Sequence, residues 1–266
     1  QRMTKSQLYP TDIKSSEWRI VRELLPTPKS TGRPRVHSLR SIINGIFYVV
    51  KGGIPWRMLP KDYPPYQTVY HYFRRWCKSG LWQDLNDKLR EKLRKKVKGK
   101  GKKHPSAAIL DSQRVKTVEG GKDIGFDGNK KIKGRKRPIL VDTLGLVLTV
   151  LVTAASVEDR AGAKQLFKGI QHLTWKRMKL VWADGNYTGV LKDWVNATLG
   201  WVFQVVHKPS DQHGFVVLPK RWIVERTFAW LNRQRRLSKD YERLPETSVA
   251  FIHVAMIRLM LKKLAS

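Results

Sequence analysis

Apolar residues recur at helical spacing through the first third of the chain. Ile13, Trp18, Val21, Leu24 and Leu25 predict a helix that Thr11 or Asp12 can cap and that Pro26 stops. Ser38 is placed to cap a second helix, whose stripe of Leu39, Ile42, Ile43, Ile46, Phe47 and Val50 ends at Gly52-Gly53. After a turn-rich stretch over 54–65 with four prolines, a short helix over 68–78 sets Val69, Tyr72, Phe73 and Trp76 on one side. His71, Arg74, Arg75 and Lys78 fall on the other. A helix, a tight connection and a basic second helix outline a helix-turn-helix reader of the major groove, although a helical bundle with solvated arginines has the same pattern. A further helix with Trp82, Leu85, Leu89 and Leu93 inward leads into a Lys- and Gly-rich run over 92–103. Such a block cannot pack a core, so it reads as an interdomain linker or a phosphate-tracking arm.

At Ser106 the period changes. Residues 107–115, 137–141 and 146–154 read as strands, the last two joined at Asp142-Thr-Leu-Gly145, which has hairpin-turn chemistry; together they predict an antiparallel meander. Helices over 160–173 and 187–196 alternate with strands over 180–183 and 201–206, and a basic helix over 220–239 follows. An amphipathic helix over 248–264, docked on the core, closes the chain. The order predicts an α/β architecture, with a mixed sheet covered by helices.

Composition narrows the partners. Fifty-three Lys and Arg against twenty-one Asp and Glu give a net charge of +32 in 266 residues, which points to a polyanion and foremost to nucleic acid. With 41% hydrophobic residues and ten Trp the chain can still bury a large core. Cys77 is the only cysteine, which excludes intrachain disulfides and Cys-based zinc sites. The apolar run over 144–155 is too short for a membrane span, and no signal peptide is visible, so a cytoplasmic, nucleoid-associated protein without membrane contact is expected.

The most informative position is Glu225. Residues 220–239 hold seven Lys or Arg and no other acid. On a helix, Val224, Phe228 and Leu231 share one face, while Glu225, Ala229, Asn232, Arg233 and Arg236 run along an adjacent one. Glu225 is therefore either an i, i+4 partner of Arg221 or a ligand for something more positive than its neighbours. Two further carboxylates bear on the choice. Asp111 sits inside an apolar strand, a costly place for a charge without a partner. Asp184 stands where a strand gives way to Gly185-Asn-Tyr-Thr-Gly189. Asp142 is explained by its turn, and Asp159 reads as a helix cap. A carboxylate set without His or Cys suits hard cations such as Mg²⁺ or Mn²⁺, and two such ions can assist in-line displacement at phosphorus.

Several segments together resemble the DDE transposases of the insertion sequence five family, in the ribonuclease H-like superfamily. They are Leu110-Asp-Ser-Gln-Arg-Val-Lys116, Lys131-Ile-Lys-Gly-Arg-Lys-Arg137 with Ile139-Leu-Val-Asp-Thr-Leu-Gly145, Trp182-Ala-Asp-Gly-Asn-Tyr-Thr-Gly189 and Arg221-Trp-Ile-Val-Glu-Arg-Thr-Phe-Ala-Trp-Leu231. Gly32-Arg-Pro-Arg35, Trp56-Arg-Met-Leu-Pro60 and Thr68-Val-Tyr-His-Tyr-Phe-Arg-Arg-Trp76 resemble the small domain that precedes the catalytic one. The resemblance implies a helical DNA-end-binding domain over 1–91, a basic linker over 92–105 and a ribonuclease H-like catalytic domain over 106–266. It also implies that Asp111, Asp184 and Glu225 bind two Mg²⁺ or Mn²⁺ ions. The function implied is a DNA transposase that binds terminal inverted repeats, cleaves the ends and joins them to target DNA, as a homodimer on double-stranded DNA.

The wider group carries a Tyr, Arg, Glu, Lys signature. Here Arg221 and Glu225 match it, but Leu218 and Asn232 replace the Tyr and the Lys, leaving Arg233 as the candidate for the end phosphates. Lys130, Lys131, Lys133, Arg135, Lys136 and Arg137 read as a DNA-backbone contact or a solvated hairpin, and Arg236 extends the basic helix face. Arg33 and Arg35 read as a minor-groove arm or a flexible linker. A regulator that binds DNA without catalysis and a nuclease without strand transfer remain the rival functions.

Overall fold

The computed structural model describes residues 9–27, 35–118, 120–170, 175, 177–206 and 220–266. Four helices come first, α1 (Ser15–Arg22), α2 (Leu39–Gly52), α3 (Tyr66–Lys78) and α4 (Leu81–Lys98). Ser38 caps α2 by accepting from the Ser41 N–H, and Gly53, at φ +72°, ends it in the left-handed region that glycine adopts without strain. α1 starts later than expected, because Asp12 accepts from the Tyr63 hydroxyl while Glu17 accepts from the Lys14 N–H.

The strands are β1 (Ala107–Lys116), β2 (Gly125–Asp127), β3 (Ile132–Asp142), β4 (Val147–Val150), β5 (Thr153–Ala154), β6 (Leu180–Asp184) and β7 (Val202–Val206). Among the described residues they form one sheet, in which β1 lies between antiparallel β3 and parallel β6. β7 continues the sheet beyond β6 in parallel, and β2, β4 and β5 share the far edge of β3. The expected meander is therefore present as β1, β3 and β4, with β2 inserted. Helices α5 (Asp159–Lys168) and α6 (Val190–Leu199) follow β5 and β6, and α7 (Arg221–Asn232) and α8 (Pro245–Ala265) complete the chain.

Period-two alternation divides the core. Ala108, Leu110 and Leu140 face a cluster with Leu166, Phe167 and Leu191 of α5 and α6. Ile109, Ile139 and Val141 face the opposite cluster, which unites α1 to α4 with α7 and α8. The result is a mixed sheet with helices on both faces.

Three expectations change. α8 is buried along most of its length, from Thr247 to Leu261, because it runs between the N-terminal helices and the sheet; a helix apolar on most sides belongs in a core, not on a surface. The basic run after residue 91 is no free arm at its start: α4 continues to Lys98, burying Leu93 and Arg94. Arg94 Nη1 donates to Asp142 Oδ2 at 2.7 Å, a buried ion pair that ties α4 to the β3–β4 turn. The connection between α2 and α3 is also not tight, since it spans 53–65 and contains a 3₁₀ turn at Trp56–Met58. α3 still presents His71, Arg75 and Lys78 to solvent.

Candidate active site

Asp111 and Asp184 are 73 residues apart, and 73 is also the register offset between β1 and β6, where Ala107 pairs with Leu180 and Ile109 with Trp182. The same offset brings the two carboxylates to one level of neighbouring parallel strands, beyond the last paired residues. Alternation puts both on the side of Ile109 and Trp182, under α7. α7 is held there by Ile223, Val224 and Leu231 in the core and by Thr227, whose hydroxyl donates to the Gly145 carbonyl at 2.7 Å. Arg226, stacked between the Trp222 and Trp230 rings, donates to the Leu144 carbonyl. Gly145 has φ +79°, and a Cβ there would stand 2.9 Å from the Thr227 hydroxyl oxygen. The turn and the helix thus fit only without a side chain at this position, and the fit aims Glu225 at the sheet.

Asp111, Asp184 and Glu225 line one open cleft of about 400 Å³, together with Ser112, Lys130, Asp159, Asn186, Tyr187 and Arg221. Asp111 Oδ1 accepts from the Ser112 N–H at 2.7 Å, and Asp184 Oδ1 from the Asn186 N–H at 3.0 Å. Arg221 bridges the other two acids: its Nη2 lies 3.6 Å from Asp184 Oδ2 and 3.7 Å from Glu225 Oε1. The i, i+4 pairing expected of Glu225 is present, and it reaches a second carboxylate. The Asp111 pKa is raised to about 7, above all by burial and also by Asp184 and Glu225, against the opposing effects of the Ser112 N–H and Arg221. Tyr187 is raised well above its ordinary value by burial, with Asp111 adding to the effect.

This donor set fits a hard divalent cation. It is all carboxylate oxygen, one member is desolvated and disfavoured as a lone anion, and a guanidinium already lies between the other two. Among the described residues, however, no three acidic, His or Cys side chains form a preassembled metal cage.

The opposite face of the sheet supports the cleft in a way the sequence did not suggest. Asp159 is no cap. It accepts from the Ser112 hydroxyl at 2.8 Å, pairs with Arg114 at 2.8 Å and lies 3.2 Å from Lys136 Nζ. Asp127 is the second acid bound by Arg114, and both carboxyls are held below the usual range: Asp127 first by its Arg114 hydrogen bond, Asp159 by the Ser112 hydroxyl, Lys136 and Arg114 against its burial. The available signal was the shared face of Ser112, Arg114 and Lys136, whose two cations require counter-charges.

The basic candidates divide sharply. Arg135, Lys136 and Arg137, expected at a DNA-facing surface, are instead buried and turn their charged groups to the protein's own carbonyls and carboxylates. Arg135 donates to the Glu242, Arg243 and Lys122 carbonyls and pairs with Asp240; Arg137 donates to the Leu237 carbonyl; Lys136 donates to the Val157 carbonyl. Long cationic side chains in the middle of β3 must alternate inward, and there they satisfy carbonyls of loops that lack a ladder. Arg236 is a further correction, since α7 ends at Asn232 and Arg236 turns in to pair with Glu242 at 2.7 Å. Arg74 is half-buried and donates to Thr247. Lys130, Lys131, Lys133, Arg75, Arg35 and Arg233 are exposed, and Asn232 accepts from Gln113. Arg33 and Leu218 lie outside the described residues.

The fold class is ribonuclease H-like, a mixed sheet with acids carried on adjacent strands and on a covering helix. Residues 13–86 match the family described as "Putative transposase of IS4/5 family", and residues 102–260 match the "Transposase DDE domain". The chain is 30% identical over 150 residues to the "Putative transposase for insertion sequence element IS402" of Burkholderia cepacia, a match covering 54% of this chain and 69% of that protein. It is 32% identical over 115 residues to the "Insertion element IS402 uncharacterized 16.2 kDa protein" of the same organism, covering 41% of this chain and 75% of the relative. No solved structure matches the chain significantly. The chain belongs to the DDE transposases of insertion sequence elements of the IS4/5 type. Divalent metal use is general for such a domain. No helix among the described residues is long and apolar enough to cross a membrane.

Proposed function

We propose that this transposase binds the terminal inverted repeats of its own insertion sequence as a homodimer, cleaves the ends and joins them to target DNA. Asp111, Asp184 and Glu225 are its catalytic carboxylates and the ligands of Mg²⁺ or Mn²⁺, two ions per site. The observation that carries this reading is the convergence of these three acids, from β1, β6 and α7, on one cleft in a protein of net charge +32. Bound there, the cations would supply Lewis acidity at the phosphodiester and offset the charge that three carboxylates present to DNA.

Each residue then has a task. Arg221 moves from the carboxylates to a phosphate oxygen as DNA enters, and Lys130 meets the same strand from the other wall. Asp111, rigid in the sheet, gives up its proton as the site fills. Cleavage is attack of a water oxygen at phosphorus, which breaks the bond to the 3′-oxygen and leaves a 3′-hydroxyl on the element's end. That hydroxyl then attacks a target phosphodiester and displaces the target's 3′-oxygen. Exposed Lys131, Lys133, Arg75, Arg35 and Arg233 track the backbone. Pairing two ends requires two active sites, hence the dimer, and the reaction takes place on nucleoid DNA in the cytoplasm.

The test is a joining assay with labelled ends and Mg²⁺ or Mn²⁺. Wild type yields cut and joined strands, and Asp184→Asn and Glu225→Gln yield neither while still shifting the ends. Shifted DNA without new products from wild type identifies a regulator, and cut ends without joined molecules identify a nuclease; either outcome overturns the proposal.

A further inference from the structure

A second cavity, of about 810 Å³, shares no lining residue with the carboxylate cleft. Its walls come from the connection after α2, from α3, from the loop after β1 and from the segment between α7 and α8. One wall is aromatic. Trp56 and Tyr70 meet edge to face at 5.4 Å; Trp56 is backed by Phe73 and Phe251, while Tyr70 is 41% exposed. Tyr66 and Tyr241 also line the cavity. The remainder is cationic. Arg74 and Arg236 are engaged by Thr247 and Glu242, and among the described residues Glu242 is the only acid lining the cavity. Arg57, Lys122 and Arg243 also line it, and their side chains form no ion pair among the described residues.

We propose that this cavity holds one unpaired nucleotide of a bound DNA strand, with its base against Trp56 and Tyr70 and its flanking phosphates on Arg57, Lys122 and Arg243. Paired DNA offers phosphates but hides the faces of its bases in the stack, so cations alone would serve a duplex and the aromatic wall would meet nothing. A splayed base has an open face for an aromatic ring, and every base has one, so recognition is by stacking and charge and not by sequence. The volume lies within the range of small-ligand sites. The assignment also gives a role to Trp56-Arg-Met-Leu-Pro60, which the carboxylate cleft does not use. It rests on the proposed action on DNA only for the identity of the polymer.

The experiment uses the full chain in EDTA, so that no cutting intervenes. The probes are a duplex with a single unpaired 2-aminopurine, its fully paired counterpart, and the free 2-aminopurine nucleotide. Wild type quenches the unpaired probe by stacking and binds it more tightly than either other probe. Tyr70→Ala, at an exposed position, weakens the unpaired probe by about tenfold and changes the paired duplex by less than about twofold, as expected for loss of one stacking partner. Trp56→Ala does the same if it folds, and Tyr70→Ala decides alone if it does not. Equal affinity for paired and unpaired probes, absence of quenching, equal loss on both in Tyr70→Ala, or free nucleotide binding as tightly as the unpaired probe overturns the proposal. Failure to bind any DNA overturns the DNA-acting reading as well, which separates the two failures.

Discussion

Asp111→Asn stabilises the metal-free protein at alkaline pH even as it removes a proposed catalytic carboxylate. The Asp111 carboxyl titrates at about 7 in the fold against an ordinary value of 3.8, so the folded state holds its proton more tightly than the unfolded chain does. Between those values the unfolded chain binds fewer protons, and stability falls as pH rises. The penalty is absent below the ordinary carboxylate range, grows towards pH 7 and is complete above it. At 1.36 kcal/mol per pH unit the full gap corresponds to about 4 kcal/mol, and solvent entering the open cleft reduces this to about 2 kcal/mol. For a chain of this size that is a rise in melting temperature of roughly 4–8 °C. The assay is thermal unfolding of wild type and Asp111→Asn in EDTA across pH 4 to 8. The melting-temperature difference should open as pH rises and flatten above about pH 7, and saturating Mg²⁺ should close it by stabilising wild type alone. A difference independent of pH, or a less stable variant at pH 8, would falsify the claim that Asp111 is a desolvated acid.

Three other outcomes follow from the same geometry. Arg135→Ala should destabilise the fold by about 3–5 kcal/mol in urea unfolding, because it leaves Asp240 and several loop carbonyls unpaired in the core. Lys131→Ala, at an exposed position, should leave stability within about 0.5 kcal/mol and lower the salt slope of DNA binding by about one, measured by fluorescence anisotropy between 50 and 200 mM salt. Thr227→Val removes the hydroxyl that locks α7 to Gly145; joining should fall by at least about tenfold, with end binding retained, if that contact positions Glu225.

Much of the fold was legible because its elements obey one local rule each. Ser38 and Gly53 mark the ends of α2 by capping chemistry, and the short apolar runs that precede Asp111 and Asp184 identify strands whichever neighbours they pair with. The three acids stood out because each was anomalous where it sat: in an apolar strand, at a strand end, or in a basic helix. Features set by long-range packing did not show. Basic residues on β3 look alike in sequence whether they point to solvent or to carbonyls, so Arg135 and Arg137 read as DNA contacts until their register against β1 was known. Asp159 stands at a helix start, which is also where a cap stands, and only its distance from Arg114 and Lys136 reveals a different role. The burial of α8 likewise depends on the N-terminal helices folding back over it.

The central claim is that Asp111, Asp184 and Glu225 form one metal site at which DNA is cut. Anomalous scattering from Mn²⁺, in crystals of the protein with both DNA ends, tests it most directly. The claim predicts manganese within about 2.5 Å of carboxylate oxygens of Asp111 and Asp184, with Glu225 in the shell of the same pair of ions and Arg221 turned away to phosphate. Manganese bound elsewhere, or an ordered DNA complex in which these carboxylates hold Arg221 and no metal, would contradict it.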